Sequence, residues 1–208
     1  VAPPAKTSRA RIVAAARAII AERGVEALSL QQVAAAVGVQ APSLYKRFDD
    51  RAALLAAVRD SLLEELAGVL AEHASGRPAG AALAAMGQAY RAFARRLDRL
   101  YPLLFASGGP PSPAALSALA PLLRILDAEV GQAHALQAAR TLTAFLHGFV
   151  TLELNASFQM PGSIDDAFGY GLNAVINGVA RASSLPARAE VGTVSLDRAE
   201  QNFRESGP

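Results

Sequence analysis

Apolar residues recur at three- and four-residue spacing along most of this chain. In the first stretch Ile12, Ala15, Ala16, Ile19 and Ile20 form one stripe, which predicts a helix over 8–23 with Gly24 as its stop. Ser29 suits an N-cap, with Gln32 three residues on, so a second helix is expected over 30–37, ending at Gly38. A third is expected over 41–48, with Pro42 in its first turn, where a missing N–H costs nothing. Asp49 or Asp50 can then cap a long fourth helix ending near His73.

Helical patterning resumes over 79–98, 101–107, 113–131, 134–158 and 164–182. Ser75-Gly76-Arg77-Pro78, Gly108-Gly109-Pro110-Pro111 and Met160-Pro161-Gly162 punctuate it. Residues 1–7 read as a mobile arm, and the polar stretch 186–208 as a disordered tail or a short closing helix. No segment sustains the two-residue alternation of a strand, and no internal repeat is present. The expectation is an all-α chain. A three-helix N-terminal unit over 1–55 precedes a larger helical body over 56–208.

Composition narrows the class. Of 208 residues, 52% are hydrophobic and 18% charged, enough apolar material for a core. The absence of Cys excludes disulfides and thiolate chemistry and suits a reducing cytoplasm, the expected location. The longest apolar run, 142–154, is short and holds His147 and Glu153, so neither a membrane span nor a signal peptide is expected. Charge is uneven: residues 1–55 carry +4 and the remainder −2. A basic head on a mildly acidic body suits a polyanionic partner, although a solvated helix face would look the same.

Residues 29–48 read SLQQVAAAVGVQAPSLYKRF. Two short helices crossing steeply need a small residue at the contact, a glycine at the turn and apolar anchors. Ala34, Gly38 and the set Val33, Val37, Val39 and Leu44 supply these. The second helix then presents Gln40, Ala41, Pro42, Ser43, Tyr45 and Lys46 outward. Gln can pair with an adenine edge, Ala and the Pro ring can meet a thymine methyl, and Ser and Tyr hydroxyls reach bases or phosphates. Lys46 and Arg51, with Thr7 and Arg9 from the start of the first helix, can neutralise phosphates, and Ser29 and Gln31 flank the same face. A bare three-helix bundle would explain the anchors equally well. It would not explain an uncharged Ala-Pro-Ser segment running into Tyr-Lys-Arg beside a glycine turn.

The run from Ser8 to Val58 resembles the DNA-binding domain of the TetR family. The resemblance is carried by Gly24, Ser29-Leu30-Gln31-Gln32-Val33-Ala34, Val37-Gly38-Val39, Ser43-Leu44-Tyr45-Lys46-Arg47-Phe48 and Arg51-Ala52-Ala53-Leu54-Leu55. Arg51 stands where that family usually has Lys. The segment Phe145-Leu146-His147-Gly148-Phe149, followed by Leu152-Glu153, is similar to the C-terminal domain that some members carry around a Trp-His-Gly signature, with Phe145 near the place of the Trp. The resemblance implies a ligand-responsive transcription regulator, most often a repressor, that binds palindromic double-stranded DNA as a homodimer. It also implies that the last two helices of each subunit form a four-helix interface. The small residues Gly169, Gly171, Ala174, Gly178 and Ala182 permit such close approach, with Leu172, Val175, Ile176 and Val179 as contacts; a helix buried within the subunit would also fit.

For an effector site the body offers Met86, Tyr90, Phe93, Phe105, Phe145 and Phe149, with Glu153, His147 and Asn155 as polar groups in the same apolar stretch. A mostly apolar cavity with few polar groups is what a small-molecule site requires, and a hydrophobic or aromatic effector is expected. Aromatics at helical spacing also build ordinary cores, and His147 can equally be a satisfied core histidine.

Catalysis is not expected. His73, His134 and His147 are scattered, no metal-binding or nucleophile motif occurs, and Gly169-Tyr170-Gly171-Leu172-Asn173-Ala174 lacks the strand a dinucleotide site needs. No cofactor or metal is expected. The remaining rival is a helical interaction module whose basic head meets another protein; only DNA binding would fall steeply with salt.

Overall fold

The computed structural model describes residues 8–106 and 110–182. The expected arm with Thr7, the Gly108-Gly109 break and the polar stretch from 186 lie outside the described residues. Among those described there are eight α-helices, two 3-10 segments and no strand. No helix there is long and apolar enough to cross a membrane.

The N-terminal unit follows its caps. Ser8 Oγ accepts from the Arg11 N–H at 3.2 Å and opens α1 (Arg9–Arg23), which buries Ile12, Val13, Ala16 and Ile20 and stops at Gly24. A 3-10 turn at Val25–Ala27, not expected from the pattern, carries the chain to Ser29. Ser29 Oγ accepts from the Gln32 N–H and opens α2 (Leu30–Val37). Gly38 sits at φ 73°, ψ 36°, and the N–H groups of Gly38 and Val39 bond Ala35 O and Ala34 O, closing α2 in a Schellman turn. α3 (Ala41–Tyr45) is shorter than expected, because the chain tightens at Leu44 O to drive Phe48 into the core. Asp50 Oδ1 accepts from the Ala53 N–H at 2.7 Å and starts α4 (Arg51–Ala74).

α4 runs without interruption past the expected boundary near residue 55. Leu54 and Val58 lie with Ile12, Val33 and Leu44 in one buried cluster that continues along α4 through Leu62 to Leu70. Around it stand α5 (Ala79–Leu97), the 3-10 segment Asp98–Phe105, α6 (Pro113–Val130), α7 (Gln132–Leu154) and α8 (Ile164–Ala182). The 3-10 segment replaces an expected α-helix: Asp98 takes φ 47° and Pro102 donates no N–H. α7 ends four residues earlier than the pattern suggested, because Ala156 turns left-handed at φ 51° and Ser157 bonds back to Leu152 O. A second core, with Leu126, Leu142, Phe168 and Leu172, lies between α6, α7 and α8.

Candidate DNA-reading face and effector cavity

Gly38 sets the direction of α3. With α2 closed there, Leu44 is the buried anchor, and Gln40, Pro42, Ser43, Tyr45, Lys46 and Arg47 are exposed along one short strip. Tyr45 is 52% exposed, an unusual position for an aromatic with no neighbour to cover it. Among the described residues neither Lys46 nor Arg47 has a carboxylate partner. Gln31 is exposed on α2, and Arg9 lies 4.5 Å over the Phe48 ring at the start of α1. The Ser29 oxygen is used by its cap. The arrangement is an uncharged strip ending in two free cations, following the turn that closes α2. Arg47 was not among the residues singled out from sequence; its adjacency to Lys46 was the available signal.

Arg51 has another task. Its Nε donates to Leu28 O at 2.9 Å and its NH2 to Val25 O at 2.5 Å, with Glu26 at 3.7 Å. It therefore ties the turn between α1 and α2 to the first turn of α4, giving Leu28 O a donor and adding a second one at Val25 O, which also accepts from the Leu28 N–H.

Gly38 supports the first prediction. A Cβ there meets open space, so only the positive φ opposes a side chain. Gly38→Ala should cost about 1–2 kcal/mol of head stability, and Gly38→Asn should recover most of it, since Asn tolerates this region. Urea unfolding of the three chains measures both.

The body holds a partly open cavity of about 220 Å³ between α4, α5, α6, α7 and α8. Leu63, Leu66 and Leu70 wall it from α4, Met86 and Tyr90 from α5, and Leu142, Thr143 and Leu146 from α7. Phe105 lies at its edge, its ring tilted against that of His147 with ring centres 3.7 Å apart. Tyr90 Oη lies 2.9 Å from Tyr101 Oη, which lies 2.8 Å from His147 Nδ1. Burial raises both phenols above their ordinary range, aided at Tyr90 by Tyr101, and burial lowers His147, so the chain of three groups is neutral.

Of the residues expected at an effector site, Met86, Tyr90 and Phe105 line this cavity. Phe93, Phe145, Phe149 and Glu153 do not. Phe93 is core. Phe145 and Phe149 pack with Phe168 against α8, where a Cβ on Gly171 would strike the Phe145 ring at 2.6 Å. Glu153 is taken up by Arg91, the buried polar residue of α5, at 2.8 and 2.6 Å; Arg91 also holds Asp165 at 2.8 Å and lies 4.7 Å over Phe168. A buried guanidinium needs a carboxylate, which removes Glu153 from any free site. Thr143 and the α4 leucines were not expected there; a threonine or leucine on an inward stripe carries no signal separating cavity wall from core.

Two parts of the chain match family models. Residues 12–58 match bacterial regulatory proteins of the tetR family, and residues 83–175 match the tetracyclin repressor-like C-terminal domain. An HTH-type transcriptional regulator of Mycobacterium tuberculosis is 31% identical over 172 residues, covering 80% of this chain and 76% of the relative. The chain belongs to the TetR family. It is accordingly a DNA-binding transcriptional regulator and not an enzyme. Its fold is that of solved TetR-type structures. A TetR variant from Acinetobacter baumannii AYE in complex with minocycline aligns with TM-score 0.69 at 22% identity, over 85% of this chain and 98% of the other. The TetR-family protein ActR of Streptomyces coelicolor in complex with actinorhodin aligns with TM-score 0.69 at 20% identity, over 90% and 100%.

In this TetR-family chain the head is latched to the body by charge. Glu65 on α4 accepts from Arg17 of α1 and from Arg96 of α5, both at 2.7 Å, and Arg99 donates to Glu22 O at the end of α1. Burial pushes Glu65 upward, but the two arginines outweigh it and hold its carboxyl below the ordinary glutamate range. The folded value is depressed, so this contribution is present above the ordinary range and is lost as pH falls through the folded value. Glu65 is partly exposed, so the effect is small, below about 1 kcal/mol per pair. Glu65→Gln should therefore remove this small contribution at pH 7 and flatten the loss of stability below about pH 4.5, as thermal unfolding across a pH series would register.

Proposed function

We propose that this regulator is a homodimeric repressor, working in the cytoplasm, that leaves a palindromic operator when a small hydrophobic molecule occupies the body cavity. The observation that carries the reading is the continuity of α4: one helix walls the cavity with Leu63, Leu66 and Leu70 and is tied to the head by Arg51 at its first turn. A molecule that moves those leucines moves the head. In this reading Gln40, Ala41, Pro42, Ser43 and Tyr45 meet base edges, Lys46, Arg47 and Arg9 meet phosphates, and Gln31 with the Ser29 end of α2 fixes the register. The Arg51 phosphate contact is not carried forward, because backbone carbonyls engage its guanidinium. The minocycline and actinorhodin complexes of the two structural relatives support a small-molecule effector.

The dimer reading rests on a face that the subunit leaves uncovered. Thr141, Ala144 and Leu152 of α7 and Ala167, Tyr170, Ala174 and Gly178 of α8 are exposed, and Tyr170 is 80% exposed. A Cβ at Gly169 or Gly178 would meet nothing within the subunit, so the close approach that would repay glycine in a helix lies elsewhere. Two heads on such a dimer reach successive major grooves roughly 34–36 Å apart. An effector that prefers another spacing, with a coupling of about 1–3 kcal/mol, weakens operator binding about 5–150-fold.

Fluorescence anisotropy of a labelled mixed-sequence duplex, taken from 50 to 200 mM salt, tests the DNA half of the proposal. The logarithm of the affinity should fall linearly with log salt. A protein-binding module would give no signal with any duplex.

A further inference from the structure

We infer that the body cavity takes an uncharged, mainly hydrocarbon molecule, about one ring with a short side chain, carrying a single hydroxyl or carbonyl, and that it rejects carboxylates and amines. The inference rests on the effector reading above and narrows it to a chemical class.

Charge decides the first part. Among the described residues no acidic, basic or histidine side chain lines the cavity; every lining group there is apolar except the Tyr90 phenol and the Thr143 hydroxyl. An ion placed there would lose its water and find no counter-ion, a cost of several kcal/mol. The ion cluster on α5 offers no help. Arg91 is saturated by Glu153 and Asp165, with Arg95 beside the same carboxylates. His147 stands behind Phe105 and Tyr101 and is held neutral by burial.

Volume decides the second part. An apolar cavity of about 150 Å³ lined by aliphatic and aromatic groups holds benzene. The cavity here measures about 220 Å³, which adds room for a chain of about three carbons.

The polar handles decide the third part. Among the described residues the Thr143 hydroxyl has no hydrogen-bond partner. Tyr90 Oη is shared with Tyr101, leaving it capacity for one more bond. One hydroxyl or carbonyl on the ligand can be satisfied at such a site; a heavily polar ligand cannot.

Calorimetric titration of the full chain with four probes of one shape tests this: 4-propylphenol, propylbenzene, 4-propylbenzoate and 4-propylbenzylammonium. The two neutral probes should bind, and the two ions should bind at least about 100-fold more weakly. Thr143→Val should weaken the phenol about 3–10-fold and leave propylbenzene unchanged. Ala118→Phe, which fills the cavity, should abolish binding of both neutral probes; Ala115→Leu serves the same purpose should the first variant fail to fold. Binding of either ion as tight as the phenol, or no binding by either neutral probe, overturns the class. DNA affinity measured with each probe separates the two readings. A neutral probe that binds without changing DNA affinity keeps the ligand class and contradicts the effector role. An ion that binds and releases DNA does the reverse.

Discussion

Replacing Arg91 by Met should destabilise this protein by about 3–5 kcal/mol, the cost of leaving one member of a buried ion pair without the other. Arg91 is 5% exposed, and the Glu153 side chain is 10% exposed. Without the guanidinium, Glu153 keeps its burial and loses both short bonds, with only the more distant Arg95 at 3.8 Å, while Asp165 keeps access to water. The three residues sit on α5, α7 and α8, so the loss is felt where those helices converge. In a chain of this size each kcal/mol shifts the melting temperature by about 2–4 °C, so a fall of roughly 6–20 °C is expected at fixed protein concentration. The double variant Arg91→Met, Glu153→Leu should recover most of it, because an apolar pair of similar size removes the orphaned charge. Calorimetry of the three chains checks this; equal melting of the single variant and the parent would mean that the pair is not buried in solution.

The double variant Lys46→Ala, Arg47→Ala should leave folding nearly untouched and remove most DNA affinity. Both side chains are exposed, and neither has a carboxylate partner among the described residues. In the proposed dimer the pair occurs twice, so four of the proposed phosphate contacts should disappear. The slope of log affinity against log salt should become shallower by about 3.6, and affinity near physiological salt should drop on the order of a thousand-fold. Salt-titrated anisotropy reads both quantities. An unchanged slope would place the phosphate contacts elsewhere on the head.

How much of this was legible in the sequence follows from the range of each interaction. Ser29 caps the helix it was expected to cap, Asp50 is the one of the two candidate aspartates that caps α4, and Gly24 and Gly38 stop the helices before them, because capping is decided within four residues. The end of α7 before Ala156 carried no such mark; alanine ordinarily extends a helix, yet here it takes a positive φ in a turn closed by the Ser157 N–H on Leu152 O. Long-range pairing was not legible. Arg91 and Glu153 are 62 positions apart, so nothing in the neighbourhood of Glu153 announced that its carboxylate was already claimed. The aromatics show the same limit. Helical spacing identifies Phe93, Phe145 and Phe149 as inward, but this body has two inward surfaces, a packed core and a cavity wall, and a one-dimensional pattern does not separate them. Arg51 is a further case. Its place in the motif suggested a phosphate contact, and only the fold reveals the carbonyls of Val25 and Leu28 within its reach.

The account depends on α3 lying in the major groove of a duplex, twice, about one dyad. Selection of bound duplexes from a random pool by the full-length chain addresses both points at once. It should enrich an inverted repeat whose half-site centres lie one helical turn, or a small multiple of it, apart, and the Lys46→Ala, Arg47→Ala chain should enrich nothing. Failure to enrich any sequence, or recovery of a single site without symmetry, would contradict it.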